Sequence, residues 1–304
     1  MADESFAAAQ AAVLHRYGLT ATERWVDSAV VGGQAHVLEL GVGPPVVMLN
    51  GIGVPAAMMA PLIAHLHGYT VYAVDLPGFG LTDANPAFAD DVRANAVRFI
   101  ADVLDGLGLD SPAIVANSLG SLWATWFALD HPDRVSALAH IGCPAVVLDT
   151  SASVPMRLLS VRWLGPLMMR IQRPSPRQVA GLAKMVHEHP LPPEIASLIL
   201  ATERLDHFEG MFLGLLRRLV RLRGNRSERA LTASQLARVT APTLLVFGAD
   251  DPMGGPHVGQ RMVDSMSDAE LHVVRGGHAP WLHHADEIAP PLTMFLRRID
   301  ERAI

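Results

Sequence analysis

The stretch Ala113-Ile-Val-Ala-Asn-Ser118-Leu119-Gly120 sets a serine between a short apolar run and a helix-like segment. Such a run suits a strand that is buried on both faces. The small residues Ala116 and Gly120 permit the sharp strand-to-helix turn that exposes a nucleophilic serine. That turn puts Ser118 at a helix N-terminus, where free N–H groups favour a developing oxyanion. A serine that only caps the helix would give the same local pattern.

Similar apolar runs lie on both sides of this stretch, and each ends in small or turn-forming residues. They predict strands at residues 45–49, 71–74, 137–141, 243–247 and 271–274. Helix-like stretches separate them, at residues 57–67, 90–107, 119–130, 256–266 and 287–298. Strands that alternate with helices predict an α/β fold, in which a mostly parallel sheet carries helices on both faces.

The first forty or so residues follow a different pattern. Residues 5–17 are rich in alanine and predict a short helix. Two β-like stretches, 22–31 and 34–40, flank the turn signal Gly32-Gly33 and predict an antiparallel hairpin. The hairpin and the six apolar runs together predict a sheet of eight strands.

The alternation stops between residues 144 and 231, where we find no convincing strand and expect several helices separated by prolines. Long insertions in a compact α/β unit usually form lids. We therefore predict a core of residues 1–143 and 232–304, and a helical cap of residues 144–231 between the sixth and seventh strands. Trp163 and Met168 are candidate substrate-binding residues in this cap, although helix packing would use the same side chains.

Composition excludes several classes of protein. With 304 residues, of which 50% are hydrophobic, the chain can bury a large core, so it is not disordered. A net charge of −6 argues against a nucleic-acid partner. The single cysteine, Cys143, excludes an internal disulfide and a cysteine-rich zinc site. We find no membrane span and no secretory signal, so we expect a cytoplasmic protein without stable membrane insertion.

A glycine-containing loop, Asn50-Gly51-Ile52-Gly53, follows the predicted strand 45–49. Glycines there let the backbone approach a ligand closely, although an ordinary turn would also contain them. In an acyl-transfer site this loop supplies one oxyanion N–H, and the residue after the serine supplies the other. We expect the amides of Ile52 and Leu119 to form the oxyanion hole, with Asn50 and Gly51 beside the substrate.

Acidic residues and a histidine follow the last two predicted strands. Asp250 and Asp251 come after strand 243–247, where one carboxylate can orient a base and the other can serve a turn. His278 lies on a glycine-rich loop after the last strand, and histidine suits general-base work near neutral pH. We expect His283 and His284 on the surface. The order Ser…Asp…His at strand ends predicts convergence at one edge of the sheet.

With these motifs, the chain from about residue 22 to 298 resembles the α/β-hydrolase family, specifically its capped serine hydrolases. Asp75-Leu-Pro-Gly-Phe-Gly80 resembles the turn after the family's fourth strand. Gly248-x-x-Asp251-Pro252 resembles the acid loop and favours Asp251 over Asp250. Gly277-His278-Ala279-Pro280-Trp281 resembles the histidine loop, with Trp281 a further candidate substrate contact. The oxyanion loop departs from the family, since Asn50 replaces the usual histidine.

The resemblance implies a Ser118–His278–Asp251 triad that cleaves carboxylic esters of small to medium hydrophobic molecules through an acyl-enzyme. It implies no metal and no organic cofactor. Ser118 argues against haloalkane dehalogenases and epoxide hydrolases, which carry aspartate at this position, and against dienelactone hydrolases, which carry cysteine. We expect Cys143 to be a buried apolar residue instead. A small-molecule substrate and a homodimer are the expected partners.

Several alternatives use the same three residues. A C–C bond hydrolase of the meta-cleavage type is one, but those enzymes usually carry Ser-Gly-Pro-Gly where this chain has Ile52-Gly53-Val54-Pro55. A thioesterase, a lactonase or an acyltransferase is also open, and a non-catalytic ligand-binding relative would keep the fold without turnover. The arginine-rich stretch from Arg217 to Arg229 predicts a solvated helix face or a site for an anionic substrate group.

Overall fold

A computed structural model of the protein describes residues 2–303. Within those residues the strands are β1 Ala21–Ser28, β2 Gly33–Gly41, β3 Pro45–Leu49, β4 Thr70–Val74, β5 Ala113–Ala116, β6 Ala137–Ile141, β7 Val220–Arg221, β8 Gly224–Asn225, β9 Thr243–Gly248 and β10 Ala269–Val274. Eight of them form one sheet in the order β1-β2-β4-β3-β5-β6-β9-β10. The predicted eight-stranded sheet is confirmed.

The pairing within this sheet is mostly parallel. Strands β1 and β2 form the predicted antiparallel hairpin, and β2 also pairs antiparallel with β4. Strands β4, β3, β5, β6, β9 and β10 are parallel throughout. Every residue of β5 and β6 is buried, as continuous apolar runs require when helices cover both faces. The carboxyl ends of the parallel strands therefore lie along one edge.

Helices connect the strands and cover the sheet. In the described residues they are α1 Ala2–Arg16, α2 Ala60–Ile63, α3 Val92–Leu107, α4 Ser118–Asp130, α5 Val154–Leu159, α6 Leu164–Ile171, α7 Pro176–Met185, α8 Pro193–Thr202, α9 Phe208–Leu219, α10 Ala233–Leu236, α11 Pro256–Val263 and α12 Trp281–Ala303. Short 3₁₀ turns occur at Ala56–Met59, Pro86–Ala89, Pro132–Arg134 and Ser227–Arg229.

Two helices differ from the sequence-based prediction. Only a 3₁₀ turn and the four-residue α2 form within 57–67, because Pro61 cannot donate the backbone hydrogen bond that would join them into one α-helix. The last helix begins at Trp281 rather than near residue 287, with a non-helical backbone at His284. Trp281 and Leu282 are buried, so packing extends this helix beyond its local signals.

The segment from residue 144 to 231, called the insertion below, holds helices α5 to α9 between β6 and β9. The expectation of an insertion without strands is wrong in detail, because β7 and β8 form a two-residue antiparallel pair. Gly224 closes that pair with a φ of 129°, a conformation that other residues rarely adopt. The division of the chain into a separate core and cap stays a prediction.

The N-terminal helix α1 packs against α8 of the insertion. Phe6 and Val13 of α1 are buried, and Nε of Arg16 lies 3.4 Å from Oε2 of Glu194 at the start of α8. Helix α1 also contacts the 3₁₀ turn Ala56–Met59, so it touches both the insertion and the segment after β3.

A histidine is buried in the centre of the sheet. His140 of β6 is fully buried, and neither ring nitrogen has a hydrogen-bond partner among residues 2–303. Burial disfavours its charged form and lowers the pKa of His140 to about 4. The folded protein therefore holds this ring neutral.

Acid should weaken the fold through this residue. Because the pKa of His140 is depressed in the folded state, its contribution to stability is complete above pH ~6.5 and is lost as the pH falls to about 4. The loss is roughly 3 kcal/mol over that range. Urea unfolding of the wild type and His140→Leu between pH 7.5 and 4 measures it. Equal pH dependence in the two proteins would contradict the prediction.

Candidate active site

Ser118 lies at the predicted strand-to-helix turn, since β5 ends at Ala116 and α4 begins at Ser118. Its φ is 50°, the left-handed region that non-glycine residues seldom occupy. Gly120 permits the tight approach to β3, because an added Cβ would overlap the Leu49 carbonyl. Such strain persists only where the surrounding structure imposes it, and it is common at functional sites.

Asn117, immediately before the serine, binds the ends of β3 and β6 and the loop that carries His278. Its backbone N–H donates to the Leu49 carbonyl over 2.9 Å. Its side-chain Nδ2 donates to the Ile141 carbonyl over 2.7 Å and to the His278 carbonyl over 3.1 Å. The sequence alone suggested no role for Asn117. A polar residue directly between a predicted buried strand and the serine is the feature that could have indicated one.

Asp251 and His278 lie together at the same edge of the sheet. His278 Nδ1 is 3.0 Å from Oδ2 and 3.1 Å from Oδ1 of Asp251. The backbone N–H groups of Cys143 and Met253 also donate to this carboxylate, over 2.9 and 2.8 Å. Asp251 and His278 are buried, whereas Asp250 is exposed. The structure thus favours Asp251, as the family resemblance implied.

The Asp251 carboxylate is held in its charged form. Burial alone would raise its pKa, but the charge of His278 and the hydrogen bonds from His278, Cys143 and Met253 outweigh that effect. The net pKa of Asp251 lies below its ordinary value. A charged carboxylate on Nδ1 leaves Nε2 of His278 as the nitrogen that can accept a proton.

Ser118 and His278 line the same cavity. In the part of the chain that the structure describes, no hydrogen bond joins the Ser118 hydroxyl to the His278 ring. In hydrolases such contacts are often long without substrate and tighten when it binds.

The loop after β3 adjoins the serine. An added Cβ on Gly51 would lie 3.3 Å from Cβ of Ser118. The Asn50 side chain shapes this loop from within, since Oδ1 accepts from the Gly51 N–H and Nδ2 donates to the Pro55 carbonyl. Asn50 thus supplies the loop's own hydrogen bonds. Ile52 and Leu119 line the cavity, and their oxyanion role stays a prediction.

A buried carboxylate hydrogen-bonds to the backbone at the end of the same loop. Asp75, directly after β4, accepts from the Ala56 N–H over 2.7 Å and from the Leu81 N–H over 2.9 Å. It also lies 2.8 Å from Nδ1 of His36. Burial favours the neutral ring of His36, but the hydrogen bond and charge of Asp75 outweigh it and raise the pKa of His36. The Asp75 turn is therefore structural support for the site.

The cavity above Ser118 has a volume of about 1040 Å³ and is walled largely by the insertion. Of the predicted substrate contacts, Asn50, Gly51, Met168 and Trp281 line it. Trp281 is almost completely buried and donates from Nε1 to the Met58 carbonyl over 3.0 Å. The prediction for Trp163 is corrected, because this side chain is 71% exposed and does not line the cavity. Trp163 immediately precedes α6, and amino-acid composition does not show whether a side chain there faces the cavity or solvent.

None of the arginines in the described stretch 217–229 lines the cavity, although Leu219, Val220 and Asn225 of that stretch do. Arg218 pairs with Asp90 at 2.6 Å and Arg226 with Glu228 at 3.4 Å. The cationic side chains of the insertion that line the cavity are instead Arg173 and Arg177. This arrangement favours the interpretation of the stretch as a solvated surface.

Two further features concern Cys143 and the helices. Cys143 is buried, and burial together with the charge of Asp251 raises the pKa of its thiol well above the ordinary value. Among residues 2–303, none of the helices combines the length and the apolar character needed to cross a bilayer.

Known proteins resemble this chain over most of its length. A family model described as alpha/beta hydrolase fold matches residues 44–285. A 2-hydroxy-6-oxononadienedioate/2-hydroxy-6-oxononatrienedioate hydrolase of Burkholderia vietnamiensis is 30% identical over 92% of this chain and 97% of its own length. A hydrolase of the same description from Dechloromonas aromatica is 31% identical over 86% of this chain and 90% of its own length.

Solved structures share the architecture at lower identity. A carboxylesterase from Bacillus subtilis superposes with a TM-score of 0.77 at 21% identity, covering 97% of this chain and 98% of its own. A 2-hydroxy-6-oxo-6-phenylhexa-2,4-dienoate hydrolase from Rhodococcus sp. strain RHA1 gives a TM-score of 0.74 at 20% identity, covering 92% and 99%. The strand order, the matched residues and these relatives lead to one conclusion: the chain belongs to the α/β-hydrolase family.

Proposed function

We propose that this chain is a serine hydrolase whose nucleophile is Ser118, whose base is His278 and whose orienting acid is Asp251. The observation that carries the proposal is the double hydrogen bond from His278 to the buried Asp251, beside a serine held at a φ of 50°. A nucleophile, a base and a group that orients the base are the three parts that acyl transfer needs.

The proposed reaction has two acyl-transfer steps. The Ser118 hydroxyl attacks a carbonyl carbon while His278 Nε2 takes its proton. The amides of Ile52 and Leu119 stabilise the resulting oxyanion. The leaving group departs with the proton from His278, and water, activated by the same nitrogen, then releases the acyl group from the serine. Asp251 stabilises the charged ring in both steps.

We propose a carbon–carbon bond as the bond cleaved, in a substrate of the 2-hydroxy-6-oxodienedioate class. Two relatives named for that activity are 30% and 31% identical and nearly the same length as this chain. A carbon leaving group departs only when its electrons are delocalised, so the substrate must be conjugated to a second carbonyl. Water then adds OH to the acyl carbon and H to the departing carbon. Arg173 and Arg177 offer cationic partners for a substrate carboxylate.

A carboxylic ester is the second candidate. Most residues around the cavity are apolar, including Met58, Leu158, Met168, Met169 and Phe212, and the cavity fits a hydrophobic acyl chain. The loop Ile52-Gly53-Val54-Pro55 also lacks the Ser-Gly-Pro-Gly stretch usual in meta-cleavage hydrolases. The same residues would cleave an ester by the same steps.

A direct comparison of substrates tests the proposal. Cleavage of 2-hydroxy-6-oxononadienedioate by the purified chain is measured from the loss of absorbance of its conjugated chromophore. Hydrolysis of p-nitrophenyl esters from acetate to dodecanoate is measured in parallel, and Ser118→Ala is the blank for both. We expect kcat/KM for the dienedioate to exceed that for the best ester by about 100-fold or more, a difference of ~2.7 kcal/mol in transition-state stabilisation. Faster ester cleavage would replace the C–C proposal with the ester candidate. No serine-dependent rate on either class would favour a thioesterase, lactonase, acyltransferase or binding protein.

A further inference from the structure

Three consecutive residues of the insertion contact the loops that carry Asp251 and His278. They are Val186, His187 and Glu188, called the clamp segment below. The Val186 carbonyl accepts from the His278 N–H over 3.0 Å. His187 Nδ1 lies 2.7 Å from the Asp250 carbonyl oxygen. The segment thus reaches across from the insertion to both loops.

Glu188 is the central contact of the clamp segment. Its side chain is buried, although it belongs to the insertion and not to the sheet. One carboxylate oxygen, Oε1, accepts from the Gly277 N–H over 2.6 Å and from the Ala279 N–H over 3.3 Å. These two amides flank His278, so a single oxygen bridges the peptide units on either side of the histidine.

The fit between the clamp segment and the histidine loop is close. His187 adopts a φ of 59°, the left-handed region that non-glycine residues avoid. Gly277 has no room for a side chain, because an added Cβ would overlap the Val186 carbonyl and crowd the Cβ of His187. The absence of a side chain at residue 277 is therefore what lets the clamp segment approach.

Burying a carboxylate is unfavourable unless its bonds compensate. Burial raises the pKa of Glu188, and the N–H groups of Gly277 and Ala279 and the nearby rings of His283 and His278 only partly oppose this. An apolar side chain would fill this position without that cost, but it could not accept from the two N–H groups. The carboxylate is thus suited to fixing the loop.

The backbone around His278 is held from two sides. Asn117, next to the proposed nucleophile, binds the His278 carbonyl over 3.1 Å. The clamp segment binds the N–H groups of residues 277, 278 and 279. The histidine peptide is therefore fixed between the turn that carries Ser118 and the insertion.

We propose that Glu188 is a positioning residue, which acts through the histidine loop to set the His278 ring between Asp251 and Ser118. The proposal rests on the proposed roles of Ser118 and His278. It makes the insertion a part of the reaction machinery and not only a wall of the substrate cavity. A displaced base misses the near-attack geometry even when substrate binding is unchanged.

Reaction of Ser118 with a fluorophosphonate tests this role without knowledge of the natural substrate. Glu188→Ala should slow the labelling rate by roughly 10- to 100-fold, because an ångström-scale shift of the base has an effect of that size. Glu188→Gln should stay within about threefold of wild type, because its amide oxygen can still accept from both N–H groups. Glu228→Ala, an exposed carboxylate in the same insertion, is the matched control and should not change the rate.

Steady-state kinetics add a measurement that loss of stability alone would not change. With whichever substrate proves active, Glu188→Ala should lower kcat by the same factor as the labelling rate and leave KM within about twofold. Circular dichroism checks that each variant is folded. If Glu188→Ala does not fold, Glu188→Asp replaces it. Its shorter side chain keeps the charge and withdraws the oxygen, so it should label at least about five times more slowly than Glu188→Gln.

The outcomes separate the two proposals. If the wild type is labelled and folded Glu188→Ala is labelled at the same rate, the positioning role is overturned and the proposed function stands. The same holds for Glu188→Asp where it replaces the alanine variant. A wild-type chain that does not react would overturn the proposed function and, with it, the role of Glu188. Slow labelling of both Glu188→Ala and Glu188→Gln would also contradict the role described here, since it would assign the effect to the charge and not to the bridge.

Discussion

Replacing Ser118 with alanine is expected to lower kcat by about 10⁴-fold or more on any substrate that the wild type hydrolyses. Ser118 lies at the start of α4 and lines the cavity. Without the hydroxyl, His278, Asp251 and the proposed oxyanion donors remain, and these cannot form an acyl-enzyme. Steady-state rates of the two purified proteins measure the effect.

A glycine in place of Ser118 is expected to abolish activity and yet to stabilise the fold. Ser118 is strained at a φ of 50°, and glycine adopts that backbone conformation without steric cost. Ser118→Gly should therefore be inactive but more stable by about 1 kcal/mol in urea unfolding. Ser118→Ala keeps the strain and serves as the control, with stability near that of wild type. Equal or lower stability of Ser118→Gly would show that the turn is not strained.

Replacing Asp251 with asparagine is expected to lower kcat by about 10⁴-fold. The amide keeps the size of the side chain, and its oxygen can still accept one of the N–H bonds from Cys143 and Met253. It cannot stabilise the charged ring of His278, and its NH₂ group favours the tautomer with the proton on the wrong nitrogen. The pH-independent maximum of kcat is the quantity to compare.

Asp250→Asn is the matched control for this change, because Asp250 is adjacent but exposed. It should keep wild-type activity to within about twofold. Equal losses in the two variants would contradict the assignment of Asp251 and would favour a role for the acid loop as a whole.

The strands were predictable because they are continuous apolar runs ended by small residues. Predicted strands 113–116 and 137–141 coincide with β5 and β6, and the hairpin of β1 and β2 follows its glycine turn. Motif spacing then brought Ser118, Asp251 and His278 to one edge, since parallel strands end on the same side. The family resemblance decided between Asp250 and Asp251.

The parts that sequence reasoning missed depend on tertiary packing. Trp163 is an apolar residue that is nonetheless exposed, at the position just before α6. The local sequence does not indicate a role for Glu188, because a single acidic residue between two histidines is typical of an exposed position. Its role follows only from the approach of the insertion to Gly277, a contact between residues 89 positions apart. The cavity of about 1040 Å³ likewise depends on how five helices pack over the sheet edge.

We propose above that Ser118 is a nucleophile activated by His278 and Asp251. The most direct measurement is the mass of the intact chain after reaction with a fluorophosphonate, followed by mapping of the modified peptide. We expect one adduct per chain, located on Ser118, absent from Ser118→Ala and formed much more slowly in Asp251→Asn. No adduct on the folded wild-type chain, or an adduct on a different residue, would contradict it.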